Sequence, residues 1–470
     1  MPNVKVIGNG EHSIISFEGE RMLSELLNSN GVYVEHLCGG KGSCKKCTVY
    51  VNGKPELSCQ YKVNCDITVS IPEQTEMISV SGAEEKGCLT KNICLCLDIG
   101  TTTLALALVS LDDRSIIKVI TKTNPQRAFG ADVISRIDHC RKNGVVALYE
   151  AIKGAVNEMI AEITKQYGLS SFPEMLVSGN ATMLHIFFGV DCSSMGVAPY
   201  TPSFTEAMCV KGEALGIDKV DTVRSLPSIS AFVGADIVAG MNYIGTPSES
   251  KYALLVDLGT NAEVVLFSKD KAYSTAAAAG PCFEGANISC GMSAINGAIS
   301  VYQSDGNYKV IGNIAPIGLC ATGLVDIIAY LVRNKIIDNS GYMEDEEFSI
   351  TDSVTLTQRD VREFQLAKSA VLSAIICLIK RAGASFDDIE ALYVAGGFSA
   401  SIDSKNAAFV GLIPNELLDK FVPVNNSSLL GTVKYAIERN ELDVFTEKAE
   451  YIDLSADLLF SELFFMNMEF

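Results

Sequence analysis

The chain has no apolar stretch long enough to cross a bilayer. One of its longest, Ala370 to Ile379, falls well short of the roughly 20 residues that a spanning helix needs. Nor does Met1 to Gly10 have the charged-then-apolar organisation of an export signal, so a cytoplasmic location is expected. Positive charge is scarce as well. Against 56 Asp and Glu there are 37 Lys and Arg, a formal net charge of −19. Such a surface repels phosphate backbones, which argues against nucleic acid and anionic membranes as partners. A cytosolic setting in turn excludes the commonest extracellular use of the 15 cysteines, as disulfides, and they read as thiols or metal ligands. With 470 residues the chain exceeds one ordinary core and points to two or three domains.

Those cysteines are unevenly placed. Eight precede residue 100, and the remainder, such as Cys140, Cys209 and Cys377, read as small buried apolar residues. The first 75 residues read as short strands around one helix. Val4 to Ile7 and Ile14 to Phe17 alternate as a hairpin. Arg21 to Asn30 sets Met22, Leu23, Leu26 and Leu27 on one helical face, ended by Gly31. Thr48 to Val51, the turn Asn52-Gly53 and Glu56 to Gln60 form a second hairpin, and Asp66 to Ile71 a last strand closed by Pro72. This order suits a β-grasp domain over residues 1–75. A polar linker follows over 76–92, and alternating strands and helices run from 93 to 470, as in an α/β fold. The acidic run Glu344 to Glu347 reads as a solvated loop.

Within the first domain, Cys38-x5-Cys44-x2-Cys47-x11-Cys59 places three thiols in one tight loop and a fourth just beyond a hairpin. A 2Fe–2S cluster needs four thiolates in two pairs, and the plant-type spacing differs by one residue in the first gap. Gly39, Gly40 and Gly42 let the backbone wrap closely, while Lys41, Lys45 and Lys46 offset the cluster's negative charge. A structural zinc site and a set of free thiols are the rival readings. Zinc sites usually carry a second Cys-x2-Cys knuckle, which this chain lacks here. Cys65 could substitute for Cys59, although Cys59 is better placed after the hairpin.

The α/β portion contains an internal echo. Asp98-Ile-Gly100-Thr101-Thr102-Thr103 lies between two apolar strands, and Asp257-Leu-Gly259-Thr260-Asn261 repeats the arrangement 159 residues later. Turns of this kind present N–H groups and hydroxyls to phosphate oxygens, and each Asp could hold Mg2+ directly or through water. A third element, Leu392-Tyr-Val-Ala-Gly396-Gly397-Phe398-Ser399, is a strand ending in Gly-Gly, where a base and ribose could lie against backbone. One such turn is weak, since ordinary hairpins look alike. Two at this spacing with the late Gly-Gly point to ATP binding.

These residues resemble the phosphate-1, phosphate-2 and adenosine motifs of the sugar kinase/actin-type (ASKHA) ATPases, in order. Val233 to Gly240 and Pro316 to Asp326, which includes Gly323, resemble the two connecting helices. Asn124 to Arg136, Ser178 to His185, Gly280 to Asn287 and Tyr451 to Ser455 are similar to segments of the reductive activators of corrinoid proteins, which also place a ferredoxin before the ATPase. That resemblance covers nearly the whole chain. It implies a β-grasp ferredoxin domain joined to a duplicated actin-like/sugar kinase-like ATPase. It further implies a 2Fe–2S cluster, ATP and Mg2+ as cofactors, and transfer of an electron to an inactive Co(II) corrinoid protein. An upstream donor such as a ferredoxin or flavoprotein, and a homodimer, fit the same picture. Members often carry a further small domain between the two parts, and here residues 76–92 alone separate them.

Residue roles follow from the resemblance. Asp98 and Asp257 are the Mg2+ candidates, and Glu263 and Glu284 are candidates to orient the attacking water, each against the alternative of a structural carboxylate. His185 reads as a packed histidine. Ser399 and Ser401 stand where they could reach a partner. Two other functions remain: an ATP-driven electron donor to a radical dehydratase, and a redox sensor that recognises a partner when ATP is bound.

Overall fold

The computed structural model describes residues 1–8, 11–30, 32, 34, 47–71, 83–130, 132–259, 261–397 and 399–470. The N-terminal unit is a five-stranded sheet. Its elements are β1 (Asn3–Gly8), β2 (Glu11–Ser16), α1 (Leu23–Ser29), β3 (Thr48–Val51), β4 (Lys54–Leu57) and β5 (Ile67–Ser70). The strand order is β2-β1-β5-β3-β4. Alternation explains it: Val4, Val6, Val49, Val51, Ile67 and Val69 point inward, and Leu23, Leu26 and Leu27 of α1 close the core over them. Two expectations shift. Arg21–Met22 is not helical but pairs with Lys62–Val63, and the second strand of the later hairpin starts at Lys54 rather than Glu56. The tight Asn52-Gly53 turn, with both residues at positive φ, sets that earlier start. Gly31 and Pro72, the expected stops, lie outside the described residues.

Residues 83–87, expected as linker, are packed. Lys86 N–H donates to Ile116 O at 3.0 Å, and Glu85 pairs with Lys118 at 3.0 Å. Beyond them the chain builds two similar sheets. The first holds β6 (Ile93–Ile99), β7 (Thr103–Ser110), β8 (Ser115–Thr123), β9 (Phe172–Gly179), β10 (Cys209–Lys211) and β11 (Val220–Ser225), in the order β8-β7-β6-β9-β11-β10. Helices α2 (Val133–Asn143), α3 (Val146–Tyr167), α4 (Ala181–Phe187) and α5 (Ala235–Ile244) accompany it. The second holds β12 (Tyr252–Leu258), β13 (Ala262–Phe267), β14 (Ala272–Ala277), β15 (Ile389–Ala395), β16 (Phe421–Pro423) and β17 (Ala449–Tyr451), in the order β16-β15-β12-β13-β14-β17. With it go α6 (Ala321–Arg333), α7 (Gln358–Arg381), α8 (Ser427–Glu438) and α9 (Leu458–Met466).

In both sheets an antiparallel three-strand meander is extended, from its first strand, by a parallel strand: β6 by β9, and β12 by β15. The echo between Asp98 and Asp257 is therefore a repeated sheet. Helix α8 breaks the symmetry. It lies in sequence between β16 and β17 of the second sheet, yet Leu429, Val433 and Ala436 belong to the core of the first, beside Leu95 and Leu97. There it crosses α5 so closely that a Cβ at Gly431 would lie 1.8 Å from Ala239 O. Helix α1 of the N-terminal unit lies against the turn Pro125–Phe129 on the first sheet's side.

Most scattered cysteines are buried, including Cys140 and Cys377; Cys209, on the edge strand β10, is exposed. His185 is packed as expected. Its Nδ1 lies 2.7 Å from Ala181 O, Nε2 accepts from Ser203 N–H at 2.9 Å, and the ring stacks on Phe204.

Candidate functional site

The two glycine-threonine turns sit at corresponding ends of the two sheets. In each, the glycine N–H closes the turn: Gly100 N–H to Thr103 O and Gly259 N–H to Asn261 O, both at 3.0 Å. They are not identical, because Asp98 is paired across the sheet with Ala105 and Asp257 with Glu263. The second turn is one residue shorter and has a carboxylate beside its aspartate. Thr260 lies outside the described residues. Gly396, with φ +108, abuts the second turn, and a Cβ there would lie 2.3 Å from Leu258 O. Gly397 has open space around it. The Gly-Gly element and the second turn are therefore one surface, since β12 and β15 are parallel neighbours.

Asp98 is held by α8. Ser428 Oγ donates to Asp98 Oδ1 at 2.7 Å, and Asn426 Nδ2 to Oδ2 at 2.9 Å. Ser178 and Thr432 continue this network at 2.9 and 2.8 Å. Asn426 also caps α8, accepting from Leu429 N–H at 2.8 Å. Burial raises the Asp98 pKa, and the two hydrogen bonds pull it back.

Acidic groups gather around the two turns. Asp236, in the first turn of α5, is pushed up to about 7, by burial first and then by Asp257. Burial and Asp98 push Asp257 to about 6. Glu263 is raised by burial, then by Asp257 and Asp236, with a smaller contribution from Glu284. Glu284 is exposed and close to the second turn: its Oε1 would lie 3.9 Å from a Cβ at Gly259. Asp98, Asp236, Asp257, Glu263 and Glu284 are thus linked through one another's charge, with Glu284 beside the second turn. Like charges this close favour keeping a proton among them or admitting a cation. Among the described residues no three His, Cys, Asp or Glu side chains converge tightly enough to hold a metal alone.

Two sequence candidates are placed differently. Gly323, in α6, is set against strand backbone: a Cβ would lie 2.2 Å from Ile299 O, so packing accounts for the glycine. Ser399 is buried, and its hydroxyl bonds Gly396 O and Val424 O, both at 2.9 Å. It braces the Gly-Gly turn and does not face a partner; Ser401 is exposed.

At the N-terminal unit, Cys47 and Cys59 flank the β3–β4 hairpin. Both are buried, and their sulfurs are 3.1 Å apart. Burial and the adjacent Cys59 push the Cys47 thiol up to about 11. Two thiolates side by side are unfavourable in water-poor surroundings unless a metal shares them, so this pair fits one iron of a cluster. Cys65 is exposed. Cys38 and Cys44 lie outside the described residues.

Comparison with known proteins accounts for nearly the whole chain. Residues 6–64 match the 2Fe-2S iron-sulfur cluster binding domain. Residues 93–247 match the RACo middle region, and 251–470 match the C-terminal domain of RACo, the ASKHA domain. The chain belongs to the RACo family. In this RACo-type chain the "middle region" is the first sheet with its helices. A solved structure of a reductive activator for a corrinoid, iron-sulfur protein superposes with TM-score 0.71 at 24% identity, over 99% of this chain and 98% of that one. The corrinoid activation enzyme RamQ of Eubacterium limosum is 28% identical, over 97% of each chain. That alignment runs over 578 residues, more than the 470 here, so the relative carries segments without a counterpart. A Co(II) methylated amine-specific corrinoid protein reductase of Methanosarcina barkeri is 25% identical over 76% of this chain and 72% of its own.

Proposed function

We propose that the protein is an ATP-dependent reductive activator, which returns an electron to an inactive Co(II) corrinoid protein and restores Co(I) for methyl transfer. The observation that supports this is the joining, in one chain, of the buried Cys47–Cys59 thiol pair to two similar sheets that each carry a Gly-Thr turn. Residues 1–75 are the electron-carrying domain, 76–92 the connection and 93–470 the ATPase. Cys38, Cys44, Cys47 and Cys59 hold the 2Fe–2S cluster, which when bound supplies a one-electron donor near about −400 mV. The Co(II)/Co(I) couple is expected to lie lower, and each 59 mV of deficit costs about a factor of ten for one electron.

ATP offsets that deficit only through different affinities for the states of the complex. The turns at Gly100–Thr103 and Gly259–Asn261 grip the phosphates from the two sheets, and Gly396–Gly397 receives the adenosine. A Mg2+ ion accompanying the phosphates would supply charge neutralisation there. Asp257 would hold it, and Asp98, both of whose oxygens accept from Ser428 and Asn426, would act through water. Glu263 and Glu284 are the candidates to orient the attacking water, and Asp236, whose charge is coupled to Asp257 and Glu263, is a third. Closure of the two lobes on ATP would then be felt by the partner. The protein works in the cytoplasm, is recharged by a ferredoxin or flavoprotein, and is compatible with a homodimer.

The test mixes reduced protein with a Co(II) corrinoid protein and follows the Co(I) absorbance. Co(I) should accumulate with ATP and far less without it. Equal yields in both would remove the coupling.

A further inference from the structure

The segment that follows β8 is aimed at the first phosphate turn. Asn124 donates from Nδ2 to Gly100 O at 2.8 Å, and from its backbone N–H to Thr102 O at 2.8 Å. Arg136, wholly buried in the first turns of α2, donates from Nη2 to Thr101 O at 2.6 Å. Its Nε reaches Gly130 O at 3.0 Å, and Nη1 lies 3.4 Å from Gln126 Oε1. Three successive carbonyls of the turn thus accept from donors of one segment. Asn180, the cap of α4, adds a bond to Thr101 Oγ1 at 3.2 Å.

A phosphate-binding turn works only when its amide N–H groups face the ligand and its carbonyl oxygens do not, since a carbonyl dipole repels phosphate. A free Gly-Thr-Thr-Thr turn would flip peptides readily. We propose that Arg136, together with Asn124, is the positioning residue of the first phosphate turn: the pair pins the Gly100, Thr101 and Thr102 carbonyls away from the nucleotide. The guanidinium also sets a permanently charged group against the Thr101 carbonyl, and its fork suits acceptors at several angles. Lysine would keep the charge and lose the fork. This inference rests on the reading of the cleft as an ATP site.

The experiment titrates ATP and adenosine separately into the full chain and measures ATP hydrolysis, for wild type, Arg136→Lys and Asn124→Ala. Removing one charge-assisted bond should raise the KM and Kd for ATP about tenfold. Adenosine affinity and the visible spectrum of the cluster domain should stay at wild-type values, and kcat within about twofold. A structural lesion would instead weaken adenosine and ATP together and lower kcat, and that pattern overturns the proposal. So does an unchanged KM for ATP in Arg136→Lys. If Arg136→Lys does not fold, Asn124→Ala carries the same comparison: it removes the side-chain hold on Gly100 O together with the cap on Gln126 N–H, and leaves the backbone bond to Thr102 O in place. Wild-type protein that binds no ATP would overturn the site reading itself, which is a distinct result from binding that ignores residue 136.

Discussion

The crossing of α5 and α8 admits a sharp test. Gly431→Ala would place a Cβ 1.8 Å from Ala239 O and 2.3 Å from its carbonyl carbon. Both are backbone atoms, which cannot swing aside as a side chain would. Restoring a C···O separation of about 3.3 Å requires the helices to part by roughly 1.5 Å. That motion strains the bond from Asn242 Nδ2 to Gly431 O, now 3.0 Å. It also drags the N-terminus of α8, whose Asn426 and Ser428 hold Asp98. Overpacking of this size should lower stability by about 1–3 kcal/mol. Displacing catalytic groups by about 1 Å should slow ATP hydrolysis about 100-fold. Thermal unfolding and steady-state hydrolysis measure the two effects. Gly154→Ala in α3 is the control: nothing lies within 4 Å of the added methyl, so the same change should stabilise by about 0.5–1 kcal/mol and leave hydrolysis alone. If Gly431→Ala melted and hydrolysed ATP as wild type does, the close crossing would not be what positions Asp98.

Other outcomes follow from named groups. Asp236→Asn should cut kcat for ATP hydrolysis by about 10²–10⁴ while ATP still binds, checked by titration and turnover on one preparation. Cys59→Ser should abolish the visible absorbance of the reconstituted cluster and leave ATP hydrolysis intact; a retained spectrum would hand the fourth position to Cys65. Lys368 is buried in α7, donating to Glu469 O with its ammonium over the Phe470 ring, and burial holds its pKa near about 8 instead of 10.5. Between those values the unfolded chain keeps a proton that the folded protein has shed, so this group makes stability rise with pH by up to about 3 kcal/mol. Lys368→Met should remove that rise, seen as a shrinking difference in unfolding free energy between the two proteins from pH 8 to 10.5.

Much of the architecture was legible because it is written locally. Period-two alternation gave the strands of the N-terminal unit, and the misplaced boundaries at Arg21 and Lys54 arose where short pairings and a tight turn outweighed pattern. The two Asp-x-Gly-Thr turns and the late Gly-Gly carry their geometry within a few residues. Ser399 misled because a hydroxyl after a glycine turn looks available until the strand end at Val424 is seen to cover it. Cys209 misled because a cysteine on an edge strand has the same letter as one in a core. Asp236 was visible in Gly-Ala-Asp at a helix start, but nothing local says that a helix terminus faces other carboxylates.

The amino-acid order by itself determined the donor chemistry: the thiol spacing, the paired phosphate turns, and hence a redox domain joined to an ATPase. Those signals survive in one dimension because each is a short loop whose backbone conformation depends on its own residues. Only the tertiary structure decided who completes the cleft. Ser428 meets Asp98 across 330 residues of chain, because the apolar stripe Leu429, Val433 and Ala436 is buried only by leaving its own sheet for the first one. That choice is made by core burial over long sequence distances, and no local periodicity records it.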